Sequence, residues 1–382
     1  MKKYIQSVSL ILFLLFSLPL YAETADTNKQ NVNKGKTVIP SSPPIVIDLG
    51  NKGSLSIRVK RFTDKPVIYP EMDSRIGSNI NGPSLIRVPD WVEKPLGKYY
   101  LYFAAHKGKY IRLAYADRIE GPWKIYEPGT LKLEESGFLV QSPEISERLM
   151  RRKSKMDKLR APNVPSVWAD ATYPHIASPD VHVINDLKEI RMYYHGLERF
   201  AVQSSRVAVS NDGLHFKAIK EIATINPYLK VFKYNGYFYG MAMPGVFFRS
   251  KDGLTGFERG VQLFNRNMRH VALMIVENYL LVFWTQVTDS PEYIKLSIID
   301  ISKDWREWKE SPAVEILRPQ YPWEGADLPA APSFRSSINT PVNQLRDPAI
   351  FQEDGRVFLL YAAAGESGIG IVELLLDYKK GS

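Results

Sequence analysis

The sequence predicts an all-β fold built from one repeated unit. The chain has 382 residues, 45% hydrophobic and 24% charged, which is an ordinary globular composition. It contains 21 Tyr, 17 Phe and 7 Trp, and aromatic residues favour strands. A short phrase, in which a proline or polar residue precedes an apolar run, recurs along the chain, and an aromatic-rich strand follows each copy.

The spacing of the phrase fits units of four short strands. Asn226 follows Ser178 by 48 residues, and His270 follows Asn226 by 44, a length that suits four strands with their turns. Five units predict a five-bladed β-propeller with four-stranded antiparallel blades. The residues expected at equivalent positions are Gly82, Ser178, Asn226, His270 and Asp347.

Four segments complete this prediction. Insertions are expected near 134–172 and 318–344, where the spacing exceeds one blade. The helix candidate, 144–159, lies in the first insertion. The last repeat is short of strands, so 45–62 is expected to supply the strand that closes the ring.

The first 22 residues have the pattern of a secretory signal peptide. Two lysines precede the apolar run 9–20, and Ala22 ends a suitable cleavage site. The run is short for a membrane-spanning helix, although an uncleaved anchor is the alternative. We expect a periplasmic or secreted protein with no integral membrane segment after cleavage. A flexible leader at 23–43 then precedes a propeller domain at 44–382.

The composition narrows the function classes. The chain has no cysteine, which excludes disulfides, thiolate nucleophiles and cysteine-ligated metals. The net charge of +9 favours anionic partners such as acidic polysaccharide, and nucleic acid is not expected for an exported chain. The basic segment 148–160 is interpreted as a solvated helix rather than an anion-binding site.

Three motifs resemble known glycoside hydrolases. The residues AYADRIEGPW at 114–123 resemble the third-to-fourth-strand signature of glycoside hydrolase family 43. SNDGLHF at 210–216 is similar to the matching element of families 43, 32 and 130. RDPAIF at 346–351 resembles the strand opening where those enzymes place a carboxylate. The resemblance implies a glycosidase that acts on the O-glycosidic bonds of a poly- or oligosaccharide.

The first blade departs from the family 43 pattern. That family places its general base in an Asp-Pro pair, and the corresponding residues are Gly82 and Pro83, preceded by Asn81. Neither Gly nor Asn supplies a carboxylate. The usual three-carboxylate set therefore cannot be carried over intact, so either the acids are relocated or the chain is catalytically altered.

Propeller geometry predicts where the site lies. First strands begin, and second strands end, at one face, so polar residues at those points converge on one mouth, and pockets with convergent polar groups are the default binding sites. Four of the six histidines fall there. The candidate substrate-binding residues are Asn81, His106, His175, His195, Asn226, Arg269, His270, Gln286 and Arg346.

Four carboxylates are candidate catalytic residues, because glycosidic cleavage needs an acid and a second carboxylate. Asp347 occupies the position that the resemblance implies, and Asp180 lies two residues past that position in the second blade. Glu198 follows a strand end. Glu324 lies in an insertion expected to fold over the mouth.

Two other functions and one metal remain as hypotheses. A polysaccharide lyase would use Arg or His to neutralise a uronate and His or Tyr as the base, and the mouth is rich in such residues. A non-catalytic carbohydrate-binding propeller would explain Gly82. The sequence requires no cofactor, and the histidines lack the spacing of a metal site. On analogy, a central calcium ion held by oxygen ligands is the metal hypothesis.

Overall fold

The computed structural model describes residues 42–61, 63–158 and 166–381. The predicted signal peptide and all but the end of the predicted leader lie outside the described residues. The described part belongs to one compact unit, 39–382. Within it, we find no helix with the length and hydropathy needed to cross a membrane.

The described residues form strands in five antiparallel sheets. In chain order the strands are β1 (Ile45–Asp48), β2 (Gly53–Arg61), β3 (Asn81–Arg87), β4 (Tyr99–Ala104), β5 (Tyr110–Ala116), β6 (Lys124–Lys132), β7 (Ile176–Ile184), β8 (Glu189–Arg199), β9 (Val202–Ser210), β10 (Lys217–Thr224), β11 (Lys230–Tyr234), β12 (Tyr237–Ala242), β13 (Val246–Ser250), β14 (Glu258–Gln262), β15 (Met268–Val276), β16 (Tyr279–Gln286), β17 (Ile294–Asp300), β18 (Val314–Leu317), β19 (Arg346–Glu353), β20 (Arg356–Ala363) and β21 (Gly368–Lys380).

These strands make five blades, as the sequence predicts. Blades 1 to 4 are the consecutive sets β3–β6, β7–β10, β11–β14 and β15–β18, and blade 5 has the order β19, β20, β21, β2, β1. Strand β2 pairs antiparallel with β21 along its whole length, from Gly53 opposite Lys380 to Arg61 opposite Val372. The prediction that 45–62 closes the ring is confirmed, and β1 adds a fifth strand to that blade.

The core lies between the blades. Five apolar clusters each join one pair of neighbouring blades, and one of them packs Leu85 and Phe103 of blade 1 against Phe358 and Ile369 of blade 5. Because both faces of a blade are covered, its middle strands are apolar without alternation. All six residues of β4 are buried. Each Å² of apolar surface buried between the blades stabilises the fold by about 25 cal/mol, and this burial holds the blades in a closed ring.

Two long connections interrupt the repeat. Residues 133–175 join blades 1 and 2 and contain helices α1 (Glu147–Lys158) and α2 (Val167–Thr172). The predicted helix 144–159 exists and begins three residues later than predicted, at Glu147, whereas α2 was not predicted. Residues 318–345 join blades 4 and 5 and contain the 3₁₀ helix Pro322–Glu324.

The innermost strand of each blade starts with a distortion that sets the mouth. Pairing between the first two strands shifts register at Gly82, Ser178 and Asp347, and each of these residues has a left-handed φ, between 46° and 59°. Their predicted equivalence is confirmed. A proline follows each one and fixes the direction of the strand.

The equivalence predicted for the other two blades is wrong by one or two residues. In blade 3 the left-handed residue is Tyr228, with φ 62°, and not Asn226. In blade 4 the register shift places Arg269, and not His270, at this position. The proline misled the prediction, because Pro227 precedes the left-handed residue and blade 4 has no proline there.

Candidate functional site

A cavity of about 590 Å³ opens at the mouth of the ring. Strand starts, strand ends and both long connections contribute to it, which is the convergence that the repeat predicts. Its volume lies within the range of small-molecule sites. The charged and histidine residues that line it are His106, Asp170, Arg199, Arg269, His270 and Arg335.

The four predicted mouth histidines form a connected group. His106 and His270 line the cavity directly. His195 is buried and stacks on Tyr228 with ring centroids 3.9 Å apart, and His175 meets His195 edge to face at 5.7 Å. Tyr228 lies 4.9 Å from His270. The predicted clustering is confirmed, but only two of the four rings reach the cavity.

Burial keeps the rings of His175, His195 and His270 neutral. Loss of solvation lowers the pKa of His175 to about 4, an effect that the hydrogen bond from its ring to the Tyr173 carbonyl only partly opposes. Burial also lowers the pKa of His195 and of His270 well below 6.5, and the cations Arg269 and Arg346 add to the effect on His270. A neutral imidazole can accept a proton at one nitrogen and donate from the other.

Asp347 lies at the axis, directly beneath the cavity. It is 7% exposed and lines a small enclosed void with Gly82, Ser178, Tyr228 and His270. Tyr228 and His270 line both the void and the cavity, so they separate Asp347 from the open mouth. The Asp347 Oδ1 atom is 3.1 Å from His270 Nδ1.

The environment of Asp347 favours its protonated form. Burial, and then the negative charge of Glu366, raise its pKa to about 6, although Arg269 and Arg346 act in the opposite direction. The backbone N–H of Asp347 also donates to His270 Nδ1 at 3.3 Å. In a neutral His270 that accepts this bond, the ring proton is on Nε2, the nitrogen that Asp347 does not contact.

Glu366 is the ionised counterpart of Asp347. Burial would raise its pKa, but His106 and Arg346 outweigh that effect and lower the pKa well below 4.5. Arg346 Nη1 donates to it at 2.9 Å and Asn79 Nδ2 at 2.7 Å. Two neighbouring carboxyl groups thus have pKa values pushed apart, a pattern typical of acid–base sites.

A chain of alternating charges supports the cavity floor. Arg269 lies 3.6 Å from Glu292, which lies 3.4 Å from Arg346, and Arg346 reaches Glu366 at 2.9 Å. Glu366 in turn lies 3.3 Å from His106. Arg346 is fully buried. Arg346, predicted to bind substrate, therefore does not line the cavity: it lies beneath the floor and holds the carboxylates in place.

Three further predicted contact residues also lie behind the cavity wall. Asn81 donates to Glu366 at 3.2 Å, and Asn226 donates to the Met243 carbonyl at 3.0 Å. Gln286 donates to Asp289 at 3.1 Å. Together with His175 and His195, these residues support the lining rather than form it.

Asp180 lines neither the cavity nor the void that holds Asp347, contrary to the prediction that the mouth residues share one cavity. It lines a second space of about 350 Å³, formed by residues further along the five innermost strands. His182 Nε2 lies 2.7 Å from its carboxylate, and the Val231 N–H donates to it at 2.8 Å. Asp180 is past the register shift in β7, so it faces the central channel and not the mouth.

The two glutamates predicted to be catalytic are also outside the cavity. Arg206 binds Glu198 through two hydrogen bonds of 3.1 and 2.8 Å. Glu324 is fully buried and accepts from Arg61 and from the Tyr361 hydroxyl, each at 2.6 Å. Glu324 ties the second connection to blade 5, so its predicted position over the mouth is wrong. The later residues Arg335 and Ser336 do reach the mouth.

Several cavity residues were not predicted from the sequence, among them Tyr228, Asp170, Arg335 and Arg199. Tyr228 has a left-handed φ, which is strained for an aromatic residue and is typical of functional positions. Asp170 lies on α2, which no pattern indicated, and Arg335 lies in an irregular connection. Of these, only Tyr228 had a usable signal in the sequence, because the position of Pro227 marks where the left-handed residue lies.

Position 82, where the resemblance expects the general base, has no room for a side chain. Gly82 has a left-handed φ of 59°, and a Cβ atom there would lie 2.9 Å from the Ser178 Cα atom. The two innermost strands of blades 1 and 2 thus touch at this point. Any acid–base chemistry must use other residues.

The central calcium ion, with oxygen ligands and water, stays a prediction. Among residues 42–61, 63–158 and 166–381, no group of three or more His, Asp or Glu side chains is arranged to hold a metal. Near the axis, Glu366 is already occupied by Arg346 and asparagine donors. The chemistry proposed below therefore includes no step through a metal.

The fold is a five-bladed β-propeller, and solved glycoside hydrolases share it. A candidate glycoside hydrolase of Parabacteroides distasonis superposes with a TM-score of 0.52 and 11% identity, covering 82% of this chain and 95% of that one. A further glycoside hydrolase gives 0.51 and 11%, covering 82% and 91%. BT0996, in a complex with RGII, gives 0.50 and 11%, covering 82% and 92%. The fold that the resemblance implies is thereby confirmed.

Sequence comparison identifies a family. No family model matches the chain. The chain is 36% identical over 317 residues to the uncharacterized protein R118 of Acanthamoeba polyphaga mimivirus, covering 76% of this chain and 82% of that protein. The chain belongs to the same family as R118.

Proposed function

We propose that the protein is an exported glycosidase that hydrolyses O-glycosidic bonds in an anionic poly- or oligosaccharide bound at the mouth. The observation that carries this proposal is the buried Asp347, whose pKa of about 6 lets it hold a proton directly beneath the cavity. The glycoside hydrolase fold supports the same reaction class. The predicted signal peptide supports export.

Asp347 supplies the acid through His270. His270 lines the cavity, and its Nδ1 atom faces the Asp347 carboxyl group at 3.1 Å. As the glycosidic bond breaks, His270 Nε2 gives its proton to the leaving oxygen, and Asp347 replaces it at Nδ1. The leaving sugar departs with a hydroxyl group, and Asp347 becomes ionised.

Asp170 supplies the base. It is the carboxylate among the described residues that lines the cavity itself, at the end formed by α2. Asp170 takes a proton from water as the water oxygen bonds to the anomeric carbon. Asp170 then releases its proton to solvent, His270 takes up a proton at Nε2 from solvent, and the Nδ1 proton returns to Asp347, which restores the starting state of the site. General acid and base groups of this kind each contribute about 10²- to 10⁴-fold in rate.

The cavity charge supports an anionic substrate. Three guanidinium groups, those of Arg199, Arg269 and Arg335, line a cavity that has one carboxylate. The whole chain also has a net charge of +9. A cleft lined by one sign of charge concentrates ligands of the opposite sign.

Product analysis tests the proposal. The protein is incubated with a panel of neutral, uronic and sulfated glycans, and the products are analysed by mass spectrometry. If the reaction is hydrolysis, the summed mass of the products exceeds the mass of the substrate by the mass of one water molecule. Asp347→Asn should abolish the product, whereas Asp180→Asn, a matched change in the central channel, should not. Both variants must remain folded, with melting temperatures no lower than that of the wild type.

A β-elimination is the second candidate, and Tyr228 is the observation that favours it. Burial and the nearby Asp347 raise the pKa of Tyr228, so its hydroxyl keeps its proton and can serve as an acid. The neutral His270 could take a proton next to a uronate carboxylate that Arg269 neutralises. This reaction adds no water and yields an unsaturated sugar that absorbs ultraviolet light. Binding without any product would instead identify a non-catalytic carbohydrate-binding propeller.

A further inference from the structure

We propose that Arg199 and Arg335 form an anion-binding subsite that takes a carboxylate or sulfate group of the saccharide. The inference rests on the proposed function, because it assigns the recognition of the substrate's charge to two particular side chains. Nothing in the sequence pattern indicated either residue.

The other charges of the cavity are already matched. Arg269 lies 3.6 Å from Glu292 and donates to the Phe334 carbonyl at 3.0 Å. Asp170 lies 3.4 Å from Lys107 and accepts from the Ser336 hydroxyl at 3.2 Å. Neither residue needs a ligand to balance its charge.

Arg199 and Arg335 have no such counterion. Among the described residues, no acidic side chain forms an ion pair with either of them. Arg335 donates to the Met243 sulfur at 2.7 Å and to the Arg266 carbonyl at 2.8 Å, both of which are neutral acceptors. Burial and the neighbouring Arg269 lower the pKa of Arg335, as expected for a cation without a partner. Arg206, by contrast, has the Glu198 carboxylate 2.8 Å away.

The chain on both sides of Arg335 is fixed. The preceding carbonyl, that of Phe334, accepts from Arg269, and the following hydroxyl, that of Ser336, donates to Asp170. These two contacts fix the backbone on either side of Arg335, and the bonds from its guanidinium group to the Met243 sulfur and the Arg266 carbonyl hold that group at the cavity. Holding a recognition group in place before binding reduces the entropy lost on association.

The guanidinium geometry selects the ligand class. A guanidinium group presents its N–H donors in a planar fork that matches the paired oxygens of a carboxylate or the oxygens of a sulfate. Arg199 comes from the end of β8, and Arg335 comes from the second long connection. An acidic sugar held between them would lie in the same cavity as His270.

Calorimetry with three oligosaccharides of one backbone tests the subsite. The probes are a neutral galacto-oligosaccharide, an oligogalacturonate and a sulfated galacto-oligosaccharide of equal length. We expect at least one acidic probe to bind at least about tenfold more tightly than the neutral one, and the comparison separates carboxylate from sulfate. Because each hydrogen bond to a charged group contributes to the binding free energy, Arg335→Gln or Arg199→Gln should weaken the binding of the acidic probe by about 10- to 100-fold.

Arg266→Gln is the matched control. It removes the same charge from a residue that contacts Arg335 only through its carbonyl and does not line the cavity. If Arg266→Gln and Arg335→Gln weaken the binding of the acidic probe equally, the overall positive charge of the protein attracts the probe and no local subsite does. That result would overturn the proposal. Equal affinity of the wild type for all three probes would also overturn it.

Sodium glucuronate, titrated alone, separates the subsite from the proposed function. Glucuronate binding that Arg335→Gln abolishes, with no binding of any oligosaccharide, would retain the subsite and contradict the function. Oligosaccharide cleavage with no effect of either arginine would retain the function and overturn the subsite. Failure of glucuronate and every oligosaccharide to bind would overturn both.

Discussion

Replacing Asp347 with asparagine should separate activity from stability. A pKa raised from 3.8 to about 6 means that the folded protein binds this proton more tightly than the unfolded chain does. At neutral pH the ionised Asp347 therefore costs the folded state about 3 kcal/mol. Asparagine keeps the shape of the side chain and removes that charge. We expect Asp347→Asn to unfold at an equal or higher urea concentration, while its turnover falls by about 10²- to 10⁴-fold.

The pH dependence follows from the same pKa. A carboxyl group whose pKa is raised in the folded state begins to cost stability above pH 3.8, and the cost grows until the pH passes about 6. Activity that needs the proton of Asp347 should likewise fall as the pH rises through about 6. The assay is kcat/KM from pH 4 to 8, alongside urea unfolding at pH 4 and pH 7. Near-normal turnover in Asp347→Asn, or a loss of several kcal/mol of stability at pH 7, would refute the reasoning.

Three further predictions concern other parts of the ring. Glu324→Gln should lower the free energy of unfolding by about 3–5 kcal/mol in urea titrations, because Arg61 loses its buried counterion, while the activity of the folded fraction is unchanged. Tyr228→Phe keeps the stacked ring but removes the hydroxyl, so hydrolysis measured by mass spectrometry should continue within a few-fold, and loss of product would instead favour elimination. Gly82→Ala should lower stability by about 1–3 kcal/mol in thermal melts, and by more than Gly77→Ala, which has a similar φ but no atom within 4 Å of the added carbon.

The repeat explains why the fold could be predicted so fully. Each blade carries its own strand and turn signals, so an error in one copy does not change the number of blades. The closing strand was predictable because the last repeat lacked one and 45–62 had no other place. The helix α2 could not be predicted, because its six residues are too few to show a period.

The site was only partly predictable. The rule that strand starts and ends meet at one face correctly brought His106, Arg269 and His270 to the cavity. It failed for Asp180, since the register shift in β7 turns that side chain into the channel. Which side of a strand a residue faces depends on such local shifts, and the sequence pattern showed the shifts only where a proline marks them.

The pairing of β2 with β21 has a consequence for biosynthesis. One edge of β2 pairs with the neighbouring β1, but the other edge pairs with β21, from Gly53 opposite Lys380 to Arg61 opposite Val372, and stays open until β21 has been made. During translation that edge has free backbone donors and acceptors, a form prone to pairing with other chains. Blades 1 to 4 can form in the order of their synthesis, but the ring cannot close before β21 emerges. Helper proteins that shield extended segments would then matter most for this strand, and deleting either partner should leave an open, aggregation-prone arc.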